Sequence, residues 1–168
     1  MYKRQTYDGT IEYTCRVIDY LVPTATEGNK ALATLVDKNG NNVKTYSSDA
    51  KDITMPMAVL INSDTAGYGE LFACDLKDFG KAFLIGEKTA GRADVQETFE
   101  LSDGGAVVLT TSKMLPYISE SFDGKGLTPD TEIILADSLR ENLSTLEKER
   151  DTQLQAAISM LAGNSSEG

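Results

Sequence analysis

The chain has 168 residues, 40% hydrophobic and 25% charged, the profile of one ordinary globular domain with enough apolar material for a core. Its 16 basic and 26 acidic residues leave a net charge of −10 with no basic patch, which argues against binding nucleic acid or anionic lipid surfaces. Histidine is absent, so Ser-His-Asp, Cys-His and histidine-ligated zinc chemistry are excluded, and no cofactor or metal is expected.

Met1 to Gln5 shows no periodicity and reads, with the rest of residues 1–8, as a truncated or non-native start. Ile11, Cys15, Ile18 and Val22 then recur at helical spacing, and Pro23 closes the segment, which predicts an amphipathic helix. Residues 31–36 and 43–47 read as short strands around Asn39-Gly40, a hairpin signal, and form a peripheral ribbon.

Met57 to Ile61 is continuously apolar, as in a central strand covered on both faces. The whole run Met55 to Ile61 is far shorter than the roughly 20 residues that span a bilayer. After a loop at 62–66 comes a helix to Phe79, with Leu71, Phe72, Leu76 and Phe79 along one stripe and Gly80 at its end. Ala82 to Ile85 is a second buried strand, so strand, helix and strand make a βαβ unit with parallel strands.

Val95 to Leu101 and the stretch through Val107 and Leu109 read as two strands joined through Ser102-Asp103-Gly104-Gly105, and Ile133 to Leu135 as a last one. From Ser138 a helix is expected with Leu139, Leu143 and Leu146 on one face. Asp151 is placed as the N-cap of a final helix carrying Leu154, Ile158 and Leu161. The expected organisation is a core over 9–136, C-terminal helices over 137–162 and a frayed tail at 163–168. Cys15 and Cys74 match no metal spacing and read as buried thiols.

Several collinear motifs carry a resemblance. They are Met-Pro-Met-Ala-Val-Leu-Ile-Asn (55–62), a loop ending in Glu70, Asp78-Phe79-Gly80-Lys81-Ala82, Gly86-Glu87-Lys88-Thr89-Ala90-Gly91, Val95-Gln96, and Gly124-Lys125-Gly126-Leu127 with Pro129-Asp130. Together, over about residues 9 to 162, the chain resembles the catalytic core of the S41 peptidases, the C-terminal processing or tail-specific proteases. The resemblance implies an α/β fold with a ClpP/crotonase-like core, a βαβ unit, a peripheral β-ribbon and C-terminal helices. It also implies endoproteolysis near protein C-termini, extended peptides or protein C-terminal segments as partners, a bacterial source, and a place outside the cytoplasm.

The family hydrolyses amides with a serine whose proton passes to a lysine held neutral by burial, while backbone N–H groups hold the oxyanion. By the resemblance, the serine position is Gly67, three residues before Glu70, and the lysine position is Arg92. Glycine has no nucleophile, and a guanidinium stays protonated in proteins. The expectation is therefore a pseudoenzyme. Asp78 and Gln96 fall at positions that the family uses to support its dyad, with ordinary surface roles as the alternative. Glu70 reads as a residue complementing the helix dipole.

Ser63, Thr65, Tyr68 and Lys88 are the groups that a relocated dyad would draw on, although Asp64-Thr65 also suits a helix cap. A further alternative is a non-catalytic scaffold or assembly module, which would form a homo-oligomer. The family's oxyanion turn would fall at Thr6-Tyr7-Asp8-Gly9, where only Gly9 fits, and the upstream core and PDZ domain of the family are not in the chain.

Overall fold

The computed structural model of the chain describes residues 9–22, 30–48, 55–143 and 145–164. Pro23, residues 1–8 and the last four residues lie outside them.

Thr10 caps the first helix, α1 (Ile11–Leu21), by accepting the amide of Tyr13, and Ile11, Cys15 and Ile18 line its buried face. Strands β1 (Ala31–Val36) and β2 (Asn42–Ser47) pair antiparallel with two irregularities in register. Asp37 organises their turn by accepting the amides of Asn39 and Asn41. The ribbon is less peripheral than expected. Leu32, Ala33 and Leu35 are buried, and β1 pairs on its other side with β6 (Ala106–Leu115), which pairs in turn with β5 (Asp94–Glu100). The result is a four-stranded antiparallel sheet in the order β2-β1-β6-β5.

The second sheet is parallel. β3 (Met57–Ile61) pairs residue for residue with β4 (Ala82–Gly86), and the two-residue β7 (Thr131–Glu132) lies on the far side of β4. Between β3 and β4 runs α2 (Tyr68–Asp78), completing the anticipated βαβ unit. The position of β3 corrects the sequence reading. Among the described residues it is an edge strand, with β4 on one side only, and Met57 to Leu60 are half-buried while Ile61 is fully buried.

The last strand also differs, lying two residues earlier than Ile133 to Leu135. The Ile133 amide still reaches Gly86 O at 2.9 Å, but the paired strand ends at Glu132, and Ile134 is 68% exposed. The helix expected from Ser138 is a single turn, α3 (Asp137–Arg140). Asn142 Nδ2 and Thr145 Oγ1 bond the carbonyls of Ser138 and Asn142, and such side-chain bonds compete with a continuing helix. Leu139, Leu143 and Leu146 are only half-buried.

Asp151 does cap the terminal helix α4 (Thr152–Asn164), accepting the Leu154 amide at 3.0 Å. Its buried face is Gln153, Leu154 and Ala157; Ile158, predicted to share that face, is 48% exposed. The principal core lies between the α1–α2 layer and the strands, with Ile18, Leu32, Leu71, Leu76, Met114 and Phe122 at its centre. Cys15 and Cys74 are buried free thiols, as read from their spacing.

Candidate active site

Parallel pairing of β3 with β4 brings the loops that follow the two strands together, at the end of the sheet where α2 begins. Asn62 shapes the first loop. Its amide donates to Thr65 Oγ1 at 3.1 Å, its carbonyl accepts the Thr65 amide, and its side-chain oxygen accepts the Asp64 amide. Thr65 O in turn accepts the Ala90 amide at 3.0 Å, which joins the first loop to the second. Thr65 therefore braces the turn; the N-cap of α2 is Gly67, and the expected Asp64-Thr65 cap is not formed.

Gly67 has φ 58° and ψ −119°, a conformation that favours glycine. A Cβ there would lie 4.0 Å from its nearest neighbour, Arg92 O, so the position has room for a side chain.

Glu70 is fully buried and joins the two loops. Oε2 accepts the amides of Gly67 at 3.0 Å and Arg92 at 2.8 Å; Oε1 accepts the Gly91 amide at 2.7 Å and the Thr89 hydroxyl. Four donors around one carboxylate compensate for its removal from water. Glu70 does lie in the first turn of α2, where a carboxylate suits the helix dipole. Its larger role is to hold the Gly67 and Arg92 backbones in register.

Thr89 extends the frame, since its hydroxyl also accepts the Leu127 amide at 2.7 Å and its amide donates to Leu127 O. The Gly124-to-Leu127 motif forms the floor beneath. The Gly124 amide donates to Gly91 O at 2.8 Å, and a Cβ on Gly126 would lie 2.3 Å from Thr89 O. A Cβ on Gly91 would lie 2.6 Å from Gly126 N, so both positions require glycine for close approach of backbones.

The structure thus brings Gly67, Glu70 and Arg92 together but leaves the other expected site residues apart. Asp78 lies at the opposite end of α2, about 16 Å from Gly67 at 1.5 Å per residue. There it accepts the amides of Ile118 and Ser119 and the Ser119 hydroxyl. Gln96 and the Arg92 side chain are exposed, as are Ser63 and Lys88. Thr65 is buried, with its hydroxyl engaged by Asn62. Burial pushes the Tyr68 phenol up from its ordinary range.

Beside Gly67, between α1 and α2, a cleft of about 320 Å³ is lined mainly by Gly9, Tyr13, Val17, Tyr68 and Phe72. Gly9, the residue that the family resemblance matches to an oxyanion turn, borders it; residues 6–8 lie outside the described part.

Sequence reasoning assigned no role to Thr89 or Asp75. Thr89 gave no distinctive signal. Asp75 did, because it falls four residues after Leu71 and four before Phe79 on the apolar stripe of α2. Among the described residues no cluster of acidic and cysteine side chains could hold a metal, and no helix is long and apolar enough to cross a membrane.

The profile of peptidase family S41 matches residues 9–133. A carboxyl-terminal-processing protease of Picosynechococcus is 34% identical over 119 residues, covering 70% of this chain and 28% of that protein. Carboxyl-terminal-processing peptidase 1 of Arabidopsis thaliana chloroplasts is 40% identical over 103 residues, 60% of this chain and 21% of the relative. Relatives thus occur in a plant as well as in bacteria, and the family does not assign a bacterial source.

Among solved structures, a photosystem II D1 C-terminal processing protease superposes with a TM-score of 0.66 at 28% identity, over 75% of this chain and 32% of the other. An S41 protease of Bacteroides fragilis gives 0.70 at 22% identity, over 93% and 42%, which speaks to the fold alone. The parallel βαβ unit and the collinear motifs around Glu70 and Gly91 therefore sit in an α/β, ClpP/crotonase-like fold, and the chain belongs to peptidase family S41.

Proposed function

We propose that this domain keeps the peptide-handling frame of its family without the hydrolytic step, and engages an extended peptide or protein C-terminal segment next to the Gly67 turn. The reading is carried by one observation. The turn at the head of α2, tied through Glu70 to the 89–92 loop, presents a glycine and an arginine at the positions that the family resemblance assigns to nucleophile and base. Loss of a nucleophile costs on the order of 10⁶ in turnover in a measured serine-protease case.

Two features support a surviving binding role. The loop frame is tied together by four hydrogen bonds to Glu70, and the apolar cleft between α1 and α2 opens beside Gly67. A relocated dyad has less support, because the Thr65 hydroxyl is engaged by Asn62 and Lys88 is exposed, whereas a lysine base requires burial. An assembly role, a homo-oligomer and export from the cytoplasm rest on resemblance or on the alternatives raised by the sequence.

The test pairs binding with cleavage in the complete protein. An unstructured peptide with an apolar C-terminus should raise fluorescence anisotropy on addition of protein and remain intact by mass spectrometry over a day. Cleavage that disappears in Thr65→Ala or Lys88→Ala would reverse the reading in favour of a relocated dyad. Absence of peptide affinity at any concentration would favour the scaffold role.

A further inference from the structure

Asp75 is fully buried on α2, and its environment is unusual for a carboxylate. Oδ1 accepts the Tyr117 amide at 3.1 Å, while Oδ2 is buried without a hydrogen-bond partner. A buried charge needs a cation or several donors, and a single amide is insufficient. The charged groups around it do not help. Asp78 on the same helix is acidic and Cys74 and Cys15 are buried thiols; the charges further out around Cys15 are Glu12 and Asp19 of α1 and Lys44 of β2, and Lys44 is paired with Glu12. Lys77 is paired with Asp130, and Lys30 lies over the Phe79 and Tyr117 rings at 5.4 and 5.6 Å. Burial, reinforced by Asp78, pushes the Asp75 carboxyl up to about 8.

What Asp75 holds is one end of a strap, residues 116–127. At that end Tyr117 stacks on Phe79 with centroids 4.3 Å apart, and Asp78 accepts the amides of Ile118 and Ser119. In the middle, Phe122 is buried in the principal core. At the other end Gly124 and Leu127 bond Gly91 and Thr89, under the loop that carries Arg92. The strap therefore connects the C-terminal end of α2 to the site at its N-terminal end.

We propose that Asp75 is a proton-controlled latch: with a neutral carboxyl it holds the 116–127 strap closed, and on losing its proton to solvent it favours an opened strap that lets water reach the charge. Among the described residues the closed state offers the ionised carboxylate one hydrogen bond and no paired cation, so ionisation shifts the population toward the open state. Opening loosens the floor beneath Thr89 to Arg92. The latch stands independently of the peptide-binding reading; only its effect on peptide affinity rests on that reading.

The experiment is amide hydrogen exchange on the full chain between pH 6 and 9.5, corrected for intrinsic rates, in the native protein and in Asp75→Asn. Asparagine keeps an acceptor for the Tyr117 amide and cannot ionise. The expected result is that protection of residues 117–119 in the native protein falls by up to about tenfold per pH unit as pH rises toward the midpoint and levels off above it, whereas in the variant it stays level throughout, with α4 unchanged in both. Level protection in the native protein, or equal slopes in both, would overturn the latch. Should the variant not fold, the carboxyl carbon of Asp75 is followed by NMR in the native chain, and a midpoint below pH 6 rejects the proposal. Peptide affinity measured alongside separates the two ideas: no binding at any pH, with the exchange result intact, removes the peptide-binding reading and leaves the latch.

Discussion

The backbone amides of Gly67 and Arg92, 25 residues apart in sequence, donate to the same oxygen, Oε2 of Glu70, at 3.0 and 2.8 Å. One buried carboxylate thus sets the relation of the two positions that the family resemblance assigns to nucleophile and base. Backbone groups make this link, so it is formed whatever side chains the two positions carry.

Glu70→Gln should therefore be damaging despite its matching shape. The amide nitrogen would face one of the N–H donors now pointing at the carboxylate, leaving buried donors unpaired. A loss of about 3 kcal/mol is expected, read from urea unfolding; a loss under about 0.5 kcal/mol would show that the four bonds contribute little to stability.

Gly67→Ser and Gly126→Ala make a contrasting pair. At Gly67 the cost is confined to a side chain at φ 58°, since nothing lies within 4 Å except Arg92 O at that limit. Roughly 1–3 kcal/mol is expected, with the fold retained. At Gly126 a methyl would lie 2.3 Å from Thr89 O, a backbone atom that can move only with its loop. There the loss should reach about 3 kcal/mol or more. Comparable thermal shifts for the two variants would contradict the geometry.

Gly67→Ser combined with Arg92→Lys in the complete protein tests whether the frame still supports catalysis. Glu70 already ties the two backbones together, and the serine has space. Slow but measurable cleavage of an unstructured substrate is the expected gain, abolished again by Gly67→Ala. No turnover from a folded double variant would show that the frame alone is insufficient.

Asp75 gives a pH dependence whose sign follows from linkage. Its folded value, about 8, lies above the unfolded value of about 3.9, so between the two the folded state holds a proton that the unfolded state has lost. The contribution of this group is fully present below about pH 4 and is lost as pH rises through about 8. Asp75→Asn should be the more stable protein at pH 9, by on the order of 3–5 kcal/mol, and the difference should shrink toward pH 5. Denaturation midpoints at both pH values check this; parallel pH profiles would be inconsistent with a buried acid.

Burial also pushes the Cys15 and Cys74 thiols up to about 12, so little reactive thiolate forms in the native state. Iodoacetamide at pH 8 should label both only as fast as the protein opens, with the rate rising steeply in denaturant. Prompt modification of either cysteine in the folded chain would mean that the α1–α2 contact is looser than its packing indicates.

Much of this architecture was legible in local pattern. The helical spacing of Ile11, Cys15 and Ile18, the apolar run at 57–61 and the Asp151 cap each depend on near neighbours, and each appears at its expected place. The family could be read for the same reason: collinear motifs survive in order even when single residues change. Short-range pattern failed where distant partners decide. A continuously apolar strand does not reveal whether both of its edges are paired, and β3 lies at an edge among the described residues. The leucines at 139, 143 and 146 have helical spacing, but side-chain bonds to the backbone accompany an end to the helix after one turn.

The sequence by itself determined the family and the βαβ order, and placed a glycine at 67 and an arginine at 92, because these are properties of residue identity and spacing. Only the tertiary structure decided that Glu70 is a shared acceptor, that Asp78 lies away from Gly67, and that Asp75 is a buried acid beneath a strap. The physical reason is that desolvation and hydrogen-bond partnership are set by groups 21 and 42 residues away, brought close when the two sheets and the α1–α2 layer close around one core.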